Sequence, residues 1–204
     1  MAMARADQGK FDDASAVYAR LEPAVAAVLG AEHPYALAIA ADRATLLYHR
    51  GEFAACRTAF LALLATRERV LGPDHVDVGQ SLQALAACEN KSGASRDALA
   101  RFERAVAIFR AARGPAHPRT LQAMSDLGGA YSHLNLHAQA LAQNQEILAI
   151  RERALGPEHV DVAVSLVNTA IEAKNLGQVA LAVDYQARAI AIFEKTLGRD
   201  HPSV

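Results

Sequence analysis

Leu71-Gly72-Pro73-Asp74-His75-Val76 joins a glycine that stops a helix to polar residues that start the next one. The same phrase stands as Leu29-Gly30-Ala31-Glu32-His33-Pro34 and as Arg113-Gly114-Pro115-Ala116-His117-Pro118. It returns as Leu155-Gly156-Pro157-Glu158-His159-Val160 and Leu197-Gly198-Arg199-Asp200-His201-Pro202, with successive copies 42 residues apart. A second ladder keeps that period in another phase: Gly9, Gly51, Gly93, Asn135 and Gly177. Its one exception is informative, because asparagine is the residue that best replaces glycine in a left-handed backbone. Nine of the twelve glycines lie on these ladders and six of the seven prolines in the first linker, so the breaks in the chain are themselves periodic. A fixed period of about 20–50 residues is the mark of a repeat architecture.

Between the ladders the residues follow helical spacing. Val78, Leu82, Leu85 and Ala86 mark one face of a helix A of about 16 residues; Ala98, Phe102, Ala105, Val106 and Phe109 mark a longer helix B. Each repeat is therefore read as a helical hairpin: helix A, a tight glycine turn, helix B, then the linker. Asp77 and Asp161 are placed to cap helix A and to meet its positive end, and Arg67, Arg69, Arg151 and Arg153 to meet the negative end of helix B. Pro23 is expected to kink or shorten the first helix B. Small residues keep the period where the helices touch, Ala2, Ala44, Ala86, Gly128 and Ala170 on A and Ala14, Cys56, Ala98, Ala140 and Ala182 on B. This seam accounts for an alanine content of 46 residues in 204. It also reads Cys56, and with it Cys88, as a buried small residue.

The composition removes whole classes of function. A net charge of -1 leaves no electrostatic footprint for nucleic acid or an anionic membrane. No apolar run approaches the roughly 18 residues of a membrane span, and the first ten residues lack the form of a signal peptide. Two cysteines make no disulfide framework, so a reducing, cytoplasmic location is expected.

Ala44…Gly51-Glu52-Phe53…Cys56…Phe60 and Gly93…Ala98…Phe102 resemble the tetratricopeptide repeat. The 42-residue period and the L-G-P-[DE]-H-[VP] linker resemble its kinesin-light-chain type, which is common in bacterial signalling proteins. The resemblance covers nearly the whole chain. It implies an all-α fold, a right-handed α-solenoid of tandem hairpins with about ten helices, whose A helices line a concave groove for peptides or protein segments. The expected organisation is one solenoid over residues 1–204, with repeats at about 1–34 (partial), 35–76, 77–118, 119–160 and 161–204. Two departures stand out. The paired asparagines that contact peptide in this branch are replaced by Ala41-Asp42, Gln83-Ala84 and Ser125-Asp126, and only Asn168 of Val167-Asn168 matches. The position after the small residue reads Thr45, Ala87, Gly129 and Ile171, so no carboxylate clamp is inherited.

The family geometry assigns groove positions to Tyr48 and His49, then Gln80, Gln83, Asn90 and Lys91, then Gln122, Ser125, Ser132 and His133, and last Asn168, Lys174 and Asn175. This neutral, hydrogen-bonding lining suits the extended backbone of a partner. His49 and His133 are read as polar lining, with a pH-responsive contact as the rival reading. The five linker histidines repeat about 10 Å apart, too far for one chelate, and are read as linker hydrogen-bonding groups. No catalytic motif is present, and Gly128-Gly129 lies inside helix A, where close packing is the simpler account. No enzyme activity, metal site or cofactor is expected. The expected function is a protein-interaction scaffold; the alternative is a regulatory segment of a larger signalling enzyme, such as a kinase, protease or ATPase. Polar capping helices are missing at both ends, so continuation of the natural chain, or self-association of those ends, is also expected.

Overall fold

The computed structural model describes residues 11–198. Among the described residues there are nine helices: α1 Phe11–Leu29, α2 Pro34–His49, α3 Phe53–Leu71, α4 Val76–Lys91, α5 Ser95–Arg113, α6 Pro118–His133, α7 His137–Leu155, α8 Val160–Asn175 and α9 Val179–Leu197. Helices of 16 and 19 residues alternate, and each kind starts every 42 residues. The fold is all-α, a tandem of helical hairpins. Ala2, Gly9 and His201 lie outside the described residues.

The chain divides into two compact units, Met1–Ile108 and Phe109–Val204. In the first, α1 packs on α2, α2 on α3 and α3 on α4. In the second, α6 packs on α7, α7 on α8 and α8 on α9. The small-residue seam is buried in both: Ala14, Ala44, Cys56, Ala86 and Ala98 in one unit, Gly128, Ala140, Ala170 and Ala182 in the other. Core clusters draw on consecutive helices, as where Leu148 of α7, Val162 and Leu166 of α8 and Phe193 of α9 meet.

The linker histidines start the A helices. Nδ1 of His33, His75, His117 and His159 accepts the backbone N–H two residues on, at 3.1–3.3 Å. The capping group is thus the histidine, and Asp77 and Asp161 sit two positions inside it, against the positive helix end. The glycine turn closes by a backbone bond reaching five residues back, and at its equivalent position Asn135 adopts φ 58°. A short polar side chain tolerates that left-handed conformation, so one ladder admits both residues.

Two sequence readings change. Of the two effects expected of Pro23, shortening is corrected: α1 has the same 19 residues as the other B helices. Pro23 and Ala19 both face solvent, so water can serve the carbonyl that loses its helical partner. Arg67 and Arg151 do more than meet a helix end: each donates Nη1 to the carbonyl of Asp77 or Asp161 and to Ser81 or Ser165 Oγ, at 2.8–3.2 Å. Burial pulls the Arg67 guanidinium below its ordinary pKa, while Asp77 and Asp42 oppose that shift. Phe109 and Phe193 take the same register, so the B helices from α3 to α9 alternate between an arginine and a phenylalanine, whereas α1 has Val25 there. The shared arginine is one of the 12 of 16 positions at which Leu63–Val78 and Ile147–Val162 match.

Candidate functional site

In the second unit a cavity of about 370 Å³ opens over the face of α6 and α8. Ser125, Ser132, His133 and Asn168, all groove positions in the sequence reading, line it. Gly128, Gly129, Asn144, Ile171 and Glu172 complete the wall. Helical spacing brings Ser125, Gly129 and Ser132 to one face of α6, and Asn168, Ile171 and Glu172 to one face of α8.

Two glycines and one amide make the opening. A Cβ added at Gly128 would stand 3.1 Å from Asn144 Oδ1, so close packing is the right account of this glycine. At Gly129 an added Cβ would meet nothing within 4 Å. Gly129 therefore leaves helix backbone bare at the cavity. Asn144 reaches in from α7 and donates Nδ2 to the Asn168 carbonyl at 3.3 Å. Its register is that of Phe60 and Phe102, both buried core residues. A polar residue in an aromatic register, opposite a glycine in an alanine register, is a signal that was present in the sequence and went unread.

Glu172 lies at the inner wall with its side chain 6% exposed. Its register elsewhere holds Leu46, Cys88 and Ala130, so it too breaks an apolar ladder. His137 Nδ1 lies 2.8 Å from Oε2, and Asn175 Nδ2 donates to the same oxygen at 3.5 Å. Oε1 has no hydrogen-bond partner among the described residues. Asn175 is thus engaged beside the cavity rather than on its wall. Lys174 is exposed on α8, and Gln122 donates to Asp126 on the surface of α6 at 2.9 Å.

In the first unit the predicted residues are arranged differently. His49 lines a separate hollow with Phe11, Asp12, Arg50 and Glu52, where Arg50 bridges Asp12 at 3.0 Å. Tyr48 packs edge-on against Phe53. Gln80 and Gln83 are half-buried along α4, Lys91 is exposed, and Asn90 Oδ1 accepts the Ser95 hydroxyl at 3.0 Å.

Two buried features of this unit escaped the sequence reading. Cys56 of α3 and Cys88 of α4 are disulfide-bonded, with Cα atoms 6.0 Å apart. Reading them as two separate small residues is corrected: facing small positions on adjacent helices bring their backbones within bridging distance. Next to them, the fully buried Glu89 accepts Arg57 Nε on Oε1 at 3.3 Å and Arg101 Nε on Oε2 at 2.7 Å. Among the described residues, no group of three or more His, Cys, Asp or Glu side chains is placed to hold a metal ion. No helix of the described residues is long and apolar enough to cross a membrane.

Comparison with known proteins follows the same lines. The family described as tetratricopeptide repeat matches residues 35–111, 96–153 and 136–195. A Podosopora anserina putative kinesin light chain with nearly identical TPR-like repeats is similar at TM-score 0.87 and 23% identity, over 96% of this chain and 92% of that one. BtubC (BKLC) from P. vanneervenii is similar at 0.82 and 19%, over 98% and 80%. MamA is similar at 0.68 and 14%, over 97% and 96%. At these identities the likeness shows the fold alone. No curated protein matches the chain.

Proposed function

The chain belongs to the tetratricopeptide repeat family, and from that premise we propose that it is a protein-interaction module whose A-helix face binds an extended segment of a partner. One observation carries the reading: the cavity over α6 and α8, where bare backbone at Gly129 shares the lining with Asn144 and Asn168. An extended peptide needs donors and acceptors for its own backbone, and amide and hydroxyl side chains provide both kinds. Four positions read as groove lining meet at this cavity, which supports the same face as the one in use.

Selection from a displayed random-peptide library tests it. Binders are expected on the wild type and lost with Gly129→Leu, which fills the cavity. A substitution on the exposed face of α7, Ala149→Leu, is expected to keep them. No enrichment on the wild type, or equal enrichment on Gly129→Leu, refutes the A-helix face as the site.

Arginine outnumbers lysine 17 to 4, which fits the GC-rich coding of a bacterial source. A cytoplasmic location was read from the cysteine count, whereas a Cys56–Cys88 bond is favoured by an oxidising compartment. Counting free thiols in protein drawn from the native cell decides between them.

A further inference from the structure

Resting on that reading of the cavity, we infer that it takes a cationic side chain of the bound segment, a lysine ammonium or an arginine guanidinium, with Glu172 as the counter-ion. Glu172 is more than nine-tenths buried, and both of its hydrogen bonds fall on one oxygen. A carboxylate held out of water is stable only when its charge and lone pairs are met. His137 and Asn175 meet half of that demand on Oε2, and Oε1 remains as an acceptor on a residue that lines the cavity. No lysine or arginine lines the wall, and its other polar groups are the hydroxyls of Ser125 and Ser132, two amides and the His133 ring. A cation entering there finds one negative group and neutral acceptors, whereas an acidic side chain meets Glu172 as a like charge. The way in fits the ligand as well. Gly129 leaves it open, and the exposed Ile171 offers an apolar surface for the methylene stem of a long basic side chain.

The test uses acetylated, amidated nine-residue peptides of serine and alanine with a central lysine, arginine, norleucine or glutamate, and n-butylammonium as the free amine. Binding is read from the backbone amide signals of Gly128 and Gly129 in nitrogen-15 spectra of the whole chain. The lysine and arginine peptides are expected to bind about tenfold tighter than the norleucine peptide, with glutamate weakest. Glu172→Gln is expected to bring lysine down to the norleucine level. Gly129→Leu, a helical position with room for a side chain, is expected to remove binding even if Glu172→Gln folds poorly. Equal binding of lysine, arginine and norleucine peptides overturns the inference and leaves the peptide-binding reading standing. No shift at Gly129 with any peptide overturns both. Butylammonium binding as tightly as the lysine peptide overturns the assignment to a segment of a partner.

Discussion

Glu89 in α4 and Glu172 in α8 are both carboxylates buried in the last turn of an A helix, one in each compact unit. The negative end of a helix disfavours an anion, so each has to be compensated by neighbours. Around Glu89 two guanidiniums do so completely, one Nε on each oxygen. Their side chains remain 43% and 26% exposed, so the carboxylate is closed off while the charges that hold it stay wet. Around Glu172 one imidazole and one amide share a single oxygen. The other oxygen belongs to a residue on a cavity wall. The same residue type in the same turn is therefore a structural tie where both oxygens are taken and a candidate site where one is spared.

The largest way to break this comparison is to remove the compensation. Arg57→Ala combined with Arg101→Ala leaves Glu89 buried and unpaired, and about 3–5 kcal/mol of stability should be lost in urea unfolding. A loss below about 1 kcal/mol would mean that Glu89 is not closed off as described.

Next in size is the covalent tie beside it. Cys56 and Cys88 directly precede Arg57 and Glu89, so the bond holds α3 against α4 at the charged cluster. Alanine already fills the equivalent positions at Ala98, Ala140 and Ala130. Cys56→Ala with Cys88→Ala should therefore cost mainly the loop-closure contribution, about 3–4 kcal/mol for a separation of this length. With a reductant present, wild type and variant should unfold at the same urea concentration. A gap that persists there assigns the stabilisation to packing instead.

His137→Ala sharpens the other side. Asn175 still donates to Glu172 and the cavity admits water, so the expected loss is only about 1–2 kcal/mol. A loss equal to that of the double arginine variant would erase the difference between the two carboxylates. The smallest effect has the opposite sign. Gly129→Ala should stabilise α6 by about 1 kcal/mol, because the new Cβ meets nothing and alanine favours the helix. Gly128→Ala should gain less or lose stability, since its Cβ crowds Asn144 Oδ1 at 3.1 Å. Matched thermal melts of the two variants decide it.

Much of the scaffold was legible from single positions. Gly51 and Asn135 announce left-handed turns, and His75 marks a helix start although the sequence alone did not show that its ring is the cap. The site was legible in part. Ser125, Ser132, His133 and Asn168 were found from their place on the A helices, and Gly129 was seen but read as packing. Asn144 and Glu172 were not legible, because no local preference shows whether a polar side chain at an apolar register turns inward or stays in water.

The sequence by itself determined the period, the order of the helices, their turns and the small-residue seam. Each of these depends on backbone preferences within a few residues, repeated every 42. Tertiary structure alone decided that Cys56 meets Cys88, that two arginines close over Glu89, and that one oxygen of Glu172 is left over. Those outcomes join residues 12 to 35 positions apart on different helices. Side-chain reach across packed helices sets them, and no local preference encodes it.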